Sequence, residues 1–237
     1  MVKGKRKPFE EIKGMLAPHR RVLNVGCGGC VSVCYAGGQK EVNTLNDQLT
    51  FSFRQDDVPF QIDGHTVERQ CNMDLLAELD EIAPNYDALM SMACGAGCQY
   101  LAERFPTIPV YPAINTLFIG VDKDVGLFEE RCRACGSCVL GLTGGVCPIA
   151  RCAKGLFNGP CGGTNLESCE VSPDIPCAWH DIYERLAAIG QLDNIKKFRE
   201  VMEWQNTTRG VFVQEGYEGR FVKPDKKTLS SLFNRVH

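Results

Sequence analysis

Past Arg21 the chain reads VLNVG, a short apolar run that ends in a glycine-rich turn, and such runs recur over the first half. Val42, Leu45 and Leu49 follow at helical spacing. LTFSFR then reads as a second strand, paired with PFQIDG. Residues 73–82 predict a helix, with Leu75, Leu76, Leu79 and Ile82 on its apolar face and Pro84 ending it. Tyr86–Ala93 is a buried strand, residues 99–104 begin a helix that Pro106 closes, and Ile108–Pro112 is a further strand. Strands alternating with helices predict an α/β domain with a parallel sheet over residues 8–118.

The pattern then changes. Residues 119–126 read as a connector, and from about residue 127 to 180 glycine, proline and cysteine replace long apolar periods. Residues 119–180 are thus expected to be a cysteine-rich metal-binding domain. Residues 181–237 supply short helices and a tail. Around Gly190 two amphipathic helices are expected, carried by Trp179, Tyr183 and Leu186 and then by Leu192, Ile195, Phe198 and Met202. The segment after Trp204 mixes small apolar clusters with Gly, Pro and Lys; it packs on its own chain or embraces a partner.

Composition narrows the chemistry. The 237 residues carry 26 Lys+Arg against 29 Asp+Glu, a formal net charge of -3. That balance asks for neither nucleic acid nor an anionic membrane. The basic start MVKGKRKPFEEIKG lacks the apolar run of a signal peptide, and no stretch has the ~18 apolar residues of a membrane span. A cytoplasmic setting is expected, where disulfides persist poorly. Fourteen cysteines then point to metal thiolates.

Parallel sheets place their sites at the carboxyl ends of strands. Cys27 follows the first strand and Cys94 the strand Tyr86–Ala93, with Cys30, Cys34 and Cys98 just beyond and Cys71 arriving from another segment. Six thiols are therefore expected along one sheet edge. A four-iron cluster needs four thiolates, so two are spare and suited to the core. Cys27 and Cys71 belong to the preferred four. The glycines of GCGGC do not form a dinucleotide fingerprint, since no GxGxxG follows the strand. They allow the backbone to turn tightly and approach a cluster.

In the second half, Cys132-x2-Cys135-x2-Cys138 has the three-thiol spacing of a ferredoxin cubane site. A zinc knuckle uses cysteines in pairs. The ferredoxin pattern breaks afterwards, because Cys147 lies nine positions beyond Cys138. Cys147, Cys152 or a later cysteine completes this site. The rest of Cys147, Cys152, Cys161, Cys169 and Cys177 hold either a second cluster or one tetrahedral zinc. His180, three residues after Cys177, is a zinc-ligand candidate and equally an ordinary helix-start residue. Arg151 and Lys154 either set positive charge beside the thiolates or serve solubility.

CRACGSCVLGLTGGVCPIARCAKGLFNGPCGGTNLESCEVSPDIPCAWHDIYERL closely resembles the cysteine-rich C-terminal domain of methylenetetrahydrofolate reductase. With GCGGCVSVCYAGGQKEV and ACGAGCQYLAERFP, the chain resembles over residues 10–200 the small subunit of the two-subunit methylenetetrahydrofolate reductases of acetogens and related anaerobes. The resemblance implies an iron–sulfur subunit, with zinc also implicated, beside a flavin-bearing (β/α)8 subunit that carries the folate chemistry. It further implies neighbouring electron-transfer subunits.

A (β/α)8 barrel needs about 250 residues, and the α/β region here offers far fewer. No carboxylate pair, Cys-His or Ser-His constellation stands out. The expected role is non-catalytic electron transfer and assembly, with two or three four-iron clusters and flavin on the partner. The assembly would interconvert methylene- and methyltetrahydrofolate. Two alternatives stand beside it: a purely structural metal-stabilised scaffold, and a zinc- or cluster-dependent enzyme of methyl transfer or thiol–disulfide chemistry.

Overall fold

The computed structural model describes residues 1–165, 167–202, 211–217 and 220. The chain divides into two compact units, Met1–Ala134 with Val139–Arg199, and Cys135–Cys138 with Glu200–His237. Among the described residues, the strands and helices named here lie in the first unit. Its first elements are β1 (Val2–Arg6), α1 (Phe9–Leu16), β2 (Arg21–Cys27), a single-turn α2 (Cys30–Val33), α3 (Gln39–Gln55) and β3 (Gln61–Val67). β4 (Ala88–Met92), α4 (Gly95–Arg104) and β5 (Val110–Pro112) follow. Strands β3, β2, β4 and β5 form a four-stranded sheet in that order, and every pair in it is parallel.

Both faces of this sheet are covered, as the buried runs Val22–Cys27 of β2 and Ala88–Met92 of β4 require. Val22, Ala88, Met90 and Met92 face Ile12 and Leu16 of α1 and Val42, Leu45, Leu49 and Phe53 of α3. Leu23, Val25, Val67 and Leu89 face Leu76, Leu79 and Ala83, together with Leu101 and Phe105 from α4 and its end. Each fully buried Leu contributes about 1.5–3 kcal/mol, so the three-layer domain has an apolar core independent of its thiols.

Three expectations are corrected. LTFSFR is not a strand: α3 runs through it to Gln55, because Phe53 continues the buried stripe of Val42, Leu45 and Leu49. The β propensity of its Thr and Phe residues yields to that packing. PFQIDG does contribute a strand, β3, but its neighbour is β2, residue for residue from Arg21↔Gln61 to Cys27↔Val67. Residues 73–82 form only a 3-10 turn, Ala77–Leu79, followed by another at Ala83–Asn85. Asn72 Oδ1 accepts the N–H groups of Asp74 (2.9 Å) and Leu75 (3.2 Å) and so caps a turn here, but only short 3-10 stretches follow it.

Residues 119–126 are no loose connector. They belong to a hairpin of β6 (Ile114–Asp124) and β7 (Leu127–Cys132), whose tight turn uses Gly126 at φ +80. The basic start of the chain, β1, adds to β6 and completes a three-stranded antiparallel sheet. Lys, Arg and Gly are poor strand formers, which hides β1 in the sequence. Gly4 fits because a Cβ there would stand 2.7 Å from the Ile114 side chain.

Beyond the hairpin come α5 (Pro148–Arg151), a small antiparallel sheet of β8 (Thr164–Asn165), β9 (Ser168–Cys169) and β10 (Ser172–Pro176), and α6 (Ala178–Ala188). The first helix expected around Gly190 is α6. The second shrinks to a 3-10 segment, Leu192–Lys196, and Phe198 is exposed. Trp179, Ile182 and Leu186 form a small core with Val146, Cys152, Cys177 and Ile195. The expected tail after Trp204 lies almost wholly outside the described residues. No described helix is long and apolar enough to cross a membrane.

Candidate functional site

The carboxyl edge of the parallel sheet gathers thiols. Cys27 is the last residue of β2, Cys94 caps α4 directly after β4, and Cys98 lies one turn along, its N–H donating to the Cys94 carbonyl (3.0 Å). Cys71 stands in the turn after β3. These four form one electrostatic neighbourhood. Burial pushes the Cys27 thiol up, backbone N–H groups of Gln70 and Gly29 oppose that, and negative charge on Cys71 or Cys94 raises it further. Burial likewise raises Cys98; the Ser91 hydroxyl opposes the shift and charge on Cys94 reinforces it. Cys27 and Cys98 are thus thiols that burial holds back from ionisation, and a cationic centre beside them would favour their thiolates.

Cys30 and Cys34 differ from these four. Cys30 is exposed at the start of α2. Cys34 is 2% exposed and packs in the core on the α1 and α3 side. Its Sγ accepts the Gly4 N–H (3.4 Å) and lies near the carbonyls of Gly4 and Val31.

A buried amide, missed in the sequence, braces the edge. Gln70 Nε2 donates to the carbonyls of Val25 (2.7 Å) and Gly26 (3.1 Å), and its Oε1 accepts the Ser91 hydroxyl (2.7 Å). It ties the end of β2 to β4 while sitting next to Cys71. A lone Gln before a Cys gives no pattern to find it by. Glycines then admit the backbone. A Cβ at Gly97 would lie 2.8 Å from the Gln70 Cβ, and one at Gly37 would lie 1.9 Å from the Met92 carbonyl oxygen. Gly37 also accepts the Cys27 N–H (2.9 Å).

In the second half, β7 ends at Cys132, whose Sγ accepts the Ala134 N–H (3.3 Å). Cys147 caps α5, which packs against β7. Cys135 and Cys138 belong to the second unit, where Cys135 Sγ lies 3.6 Å from the Ser137 carbonyl. Cys152, Cys161, Cys169 and Cys177 line a single cavity of about 240 Å³, with Lys154 and His180 also in its wall. The Cys161 thiol is held below its usual range by the Gly163 N–H and by Lys154, which itself pairs with Glu170. Arg151 is turned to Asp181 in an ion pair.

All fourteen cysteines are free thiols. Among the described residues, no three His, Cys, Asp or Glu side chains are grouped tightly enough to hold one metal ion. The thiols on these glycine-lined turns are of the donor type that an iron–sulfur cluster takes.

The fold and site define a class: a doubly covered parallel α/β domain with thiols at its carboxyl edge, continued by a small cysteine-lined fold. Residues 111–205 match the family described as methylene-tetrahydrofolate reductase C terminal. The match begins in β5 and takes in all eight cysteines from Cys132 to Cys177, while the six sheet-domain cysteines lie outside it. No curated protein and no solved structure matches the chain.

Proposed function

We propose that this chain is the iron–sulfur electron-transfer and assembly subunit of a flavin-dependent methylenetetrahydrofolate reductase. The placement of Cys27, Cys71, Cys94 and Cys98 towards one edge of the sheet, coupled pairwise through Cys27 and Cys94, carries the reading. The family match over residues 111–205 supplies the reductase context. In this reading those four thiolates hold a four-iron, four-sulfur cluster. When bound, such a cluster supplies one-electron chemistry, which a flavin on a partner subunit converts to two-electron steps.

The chain's own residues prepare that site. Gln70 fixes the distance between the ends of β2 and β4. Gly29 and Gln70 direct N–H groups at Cys27, which favours its thiolate. The flanking layers bury Cys27, while Cys71 is exposed and Cys94 and Cys98 are partly exposed. The spacing Cys132-x2-Cys135-x2-Cys138 argues on sequence grounds for a further cluster. Folate and flavin are assigned to the partner.

The test uses the full chain purified without oxygen. Iron, acid-labile sulfide and low-temperature EPR are compared between the wild type and Cys71→Ser. A reducible signal that Cys71→Ser removes, in a protein that then reduces the partner flavin, is the expected result. Wild-type protein with no labile sulfide and no reducible signal overturns the reading.

A further inference from the structure

Tyr35 stands in the left-handed region at φ 55, a conformation that strains a bulky residue and that glycine adopts freely. Its neighbours impose it. Cys34 is buried beside Gly4, and Ala36 is buried with its N–H on the Val31 carbonyl (2.9 Å). The Gly37 N–H reaches the same carbonyl (3.1 Å), and the Gly37 carbonyl accepts the Cys27 N–H (2.9 Å). A loop that begins at Cys27 thus returns to it and throws one ring outward. Tyr35 is 60% exposed and belongs to neither apolar core of the sheet domain. Strain kept at an exposed aromatic residue points to function.

The ring faces a cleft shared with the tip of the β6–β7 hairpin. Asp122 and Phe128 pair across the two strands and so share a face. With Val33, Tyr35, Asp124 and Val125 they line an open cleft of about 280 Å³. Val33 and Val125 are 51% and 86% exposed, so the cleft is the centre of an apolar patch. The charges around it do not cancel. Lys123, also in the wall, is committed to Glu129 (3.0 Å), and Lys3 is held 3.9 Å above the Phe128 ring and on the Cys34 carbonyl (3.2 Å). Asp124 accepts the Val125 N–H (2.7 Å). Among the described residues neither Asp122 nor Asp124 has an ion-pair partner.

We propose that this cleft is a protein-docking surface, and that its occupant is the flavin-bearing reductase subunit, seated through a lysine or arginine that rises from an apolar face. The walls select that contact. A basic side chain lays its aliphatic stem on Val33 and Val125, sets its charge on the Tyr35 ring and reaches the carboxylates of the hairpin tip. An acidic face would be repelled by Asp122 and Asp124, and a purely apolar one would bury them without partners. A small free cation would leave the apolar walls unused. The identity of the occupant rests on the electron-transfer reading above, in which the loop from Cys27 to Gly37 links the cleft to the sheet-edge thiols.

The test measures binding of the purified flavin-bearing subunit to the full chain, both handled without oxygen, by calorimetry at low and high salt. Tyr35→Gly should weaken binding about tenfold or more. The free variant should still melt close to the wild-type temperature, because relieved strain offsets the greater freedom of glycine in the unfolded chain. A ring that served only the fold would give the opposite pattern, a lower melting temperature with affinity retained. Asp122→Lys should weaken binding by a similar factor and flatten its salt dependence. Both variants should keep the iron and labile sulfide of the wild type. Unchanged affinity in either variant, with the wild type bound, overturns the cleft and leaves the electron-transfer reading standing. A wild-type chain that does not bind the subunit overturns both.

Discussion

Ser91 Oγ donates to Gln70 Oε1 at 2.7 Å, and both residues are wholly buried between β4 and the turn after β3. Through its other end Gln70 satisfies the carbonyls of Val25 and Gly26. Replacing Gln70 with Leu strands a hydroxyl and two carbonyls, and each buried unsatisfied group costs about 1–3 kcal/mol. Q70L is therefore expected to melt several degrees lower and to hold less iron. Calorimetry and iron analysis on the same preparation check both.

Cys34 and Cys71 make a contrasting pair. Cys34 is sealed against Gly4 in the core, and Cys71 faces the sheet edge. C34S should keep the wild-type iron content and lose about 1–3 kcal/mol of stability through its buried hydroxyl. C71S should do the reverse: lose iron while the iron-free proteins unfold at similar denaturant concentrations. Equal iron in the two variants would remove the distinction.

Gly37 admits no side chain. A Cβ would lie 1.9 Å from the Met92 carbonyl oxygen and 2.9 Å from Ile114 Cδ1. Since Gly37 also accepts the Cys27 N–H, G37A must push this backbone away from Met92 of β4 and disturb its bond to Cys27. A loss of at least about 1–3 kcal/mol is expected from overpacking, with reduced cluster content. Chemical denaturation of the iron-free protein measures the first part directly.

Asp87 joins the starts of two strands. Its Oδ2 accepts the N–H groups of Arg21 (2.9 Å) and Arg20 (3.1 Å), and these hold its carboxyl below the usual carboxylate range. A depressed folded-state pKa gives stability that is present above the unfolded value and lost as pH falls through the folded one. D87N should therefore melt lower than wild type at neutral pH. The gap should close under acid conditions below the folded pKa of Asp87. A melting series from pH 7 downward reads this, and a gap independent of pH would show that the charge is irrelevant.

Much of the sheet domain was legible in sequence. VLNVG and the apolar run before Cys94 are continuous because strands covered on both faces have no polar side. Thiols directly after those runs had to fall at the carboxyl edge. The errors came where local signals conflicted with packing. LTFSFR has strand-like residues, but Phe53 sits four positions after Leu49 and so extends the helix. The hairpin at Val125–Gly126 escaped because its turn lacks the Asn-Gly or Asp-Gly signature, and β1 escaped because its affinity for β6 resides in the partner strand.

The amino-acid sequence by itself determined the number of thiols, their placement after strands, the ferredoxin-like run from Cys132 and the resemblance that the match over residues 111–205 supports. Only the tertiary structure decided which thiols meet. Cys34 and Cys27 lie seven positions apart and both are buried, yet Cys34 accepts the Gly4 N–H while Cys27, at the end of β2, feels the charge of Cys71 and Cys94. Cys152 and Cys177 come from opposite ends of a glycine-rich segment and share a cavity. The physical reason is that periodicity reports which face a residue takes within its own element. Convergence depends on long-range contacts, such as Gln70 with Ser91 and Trp179 with Leu156, for which a single chain carries no local signal.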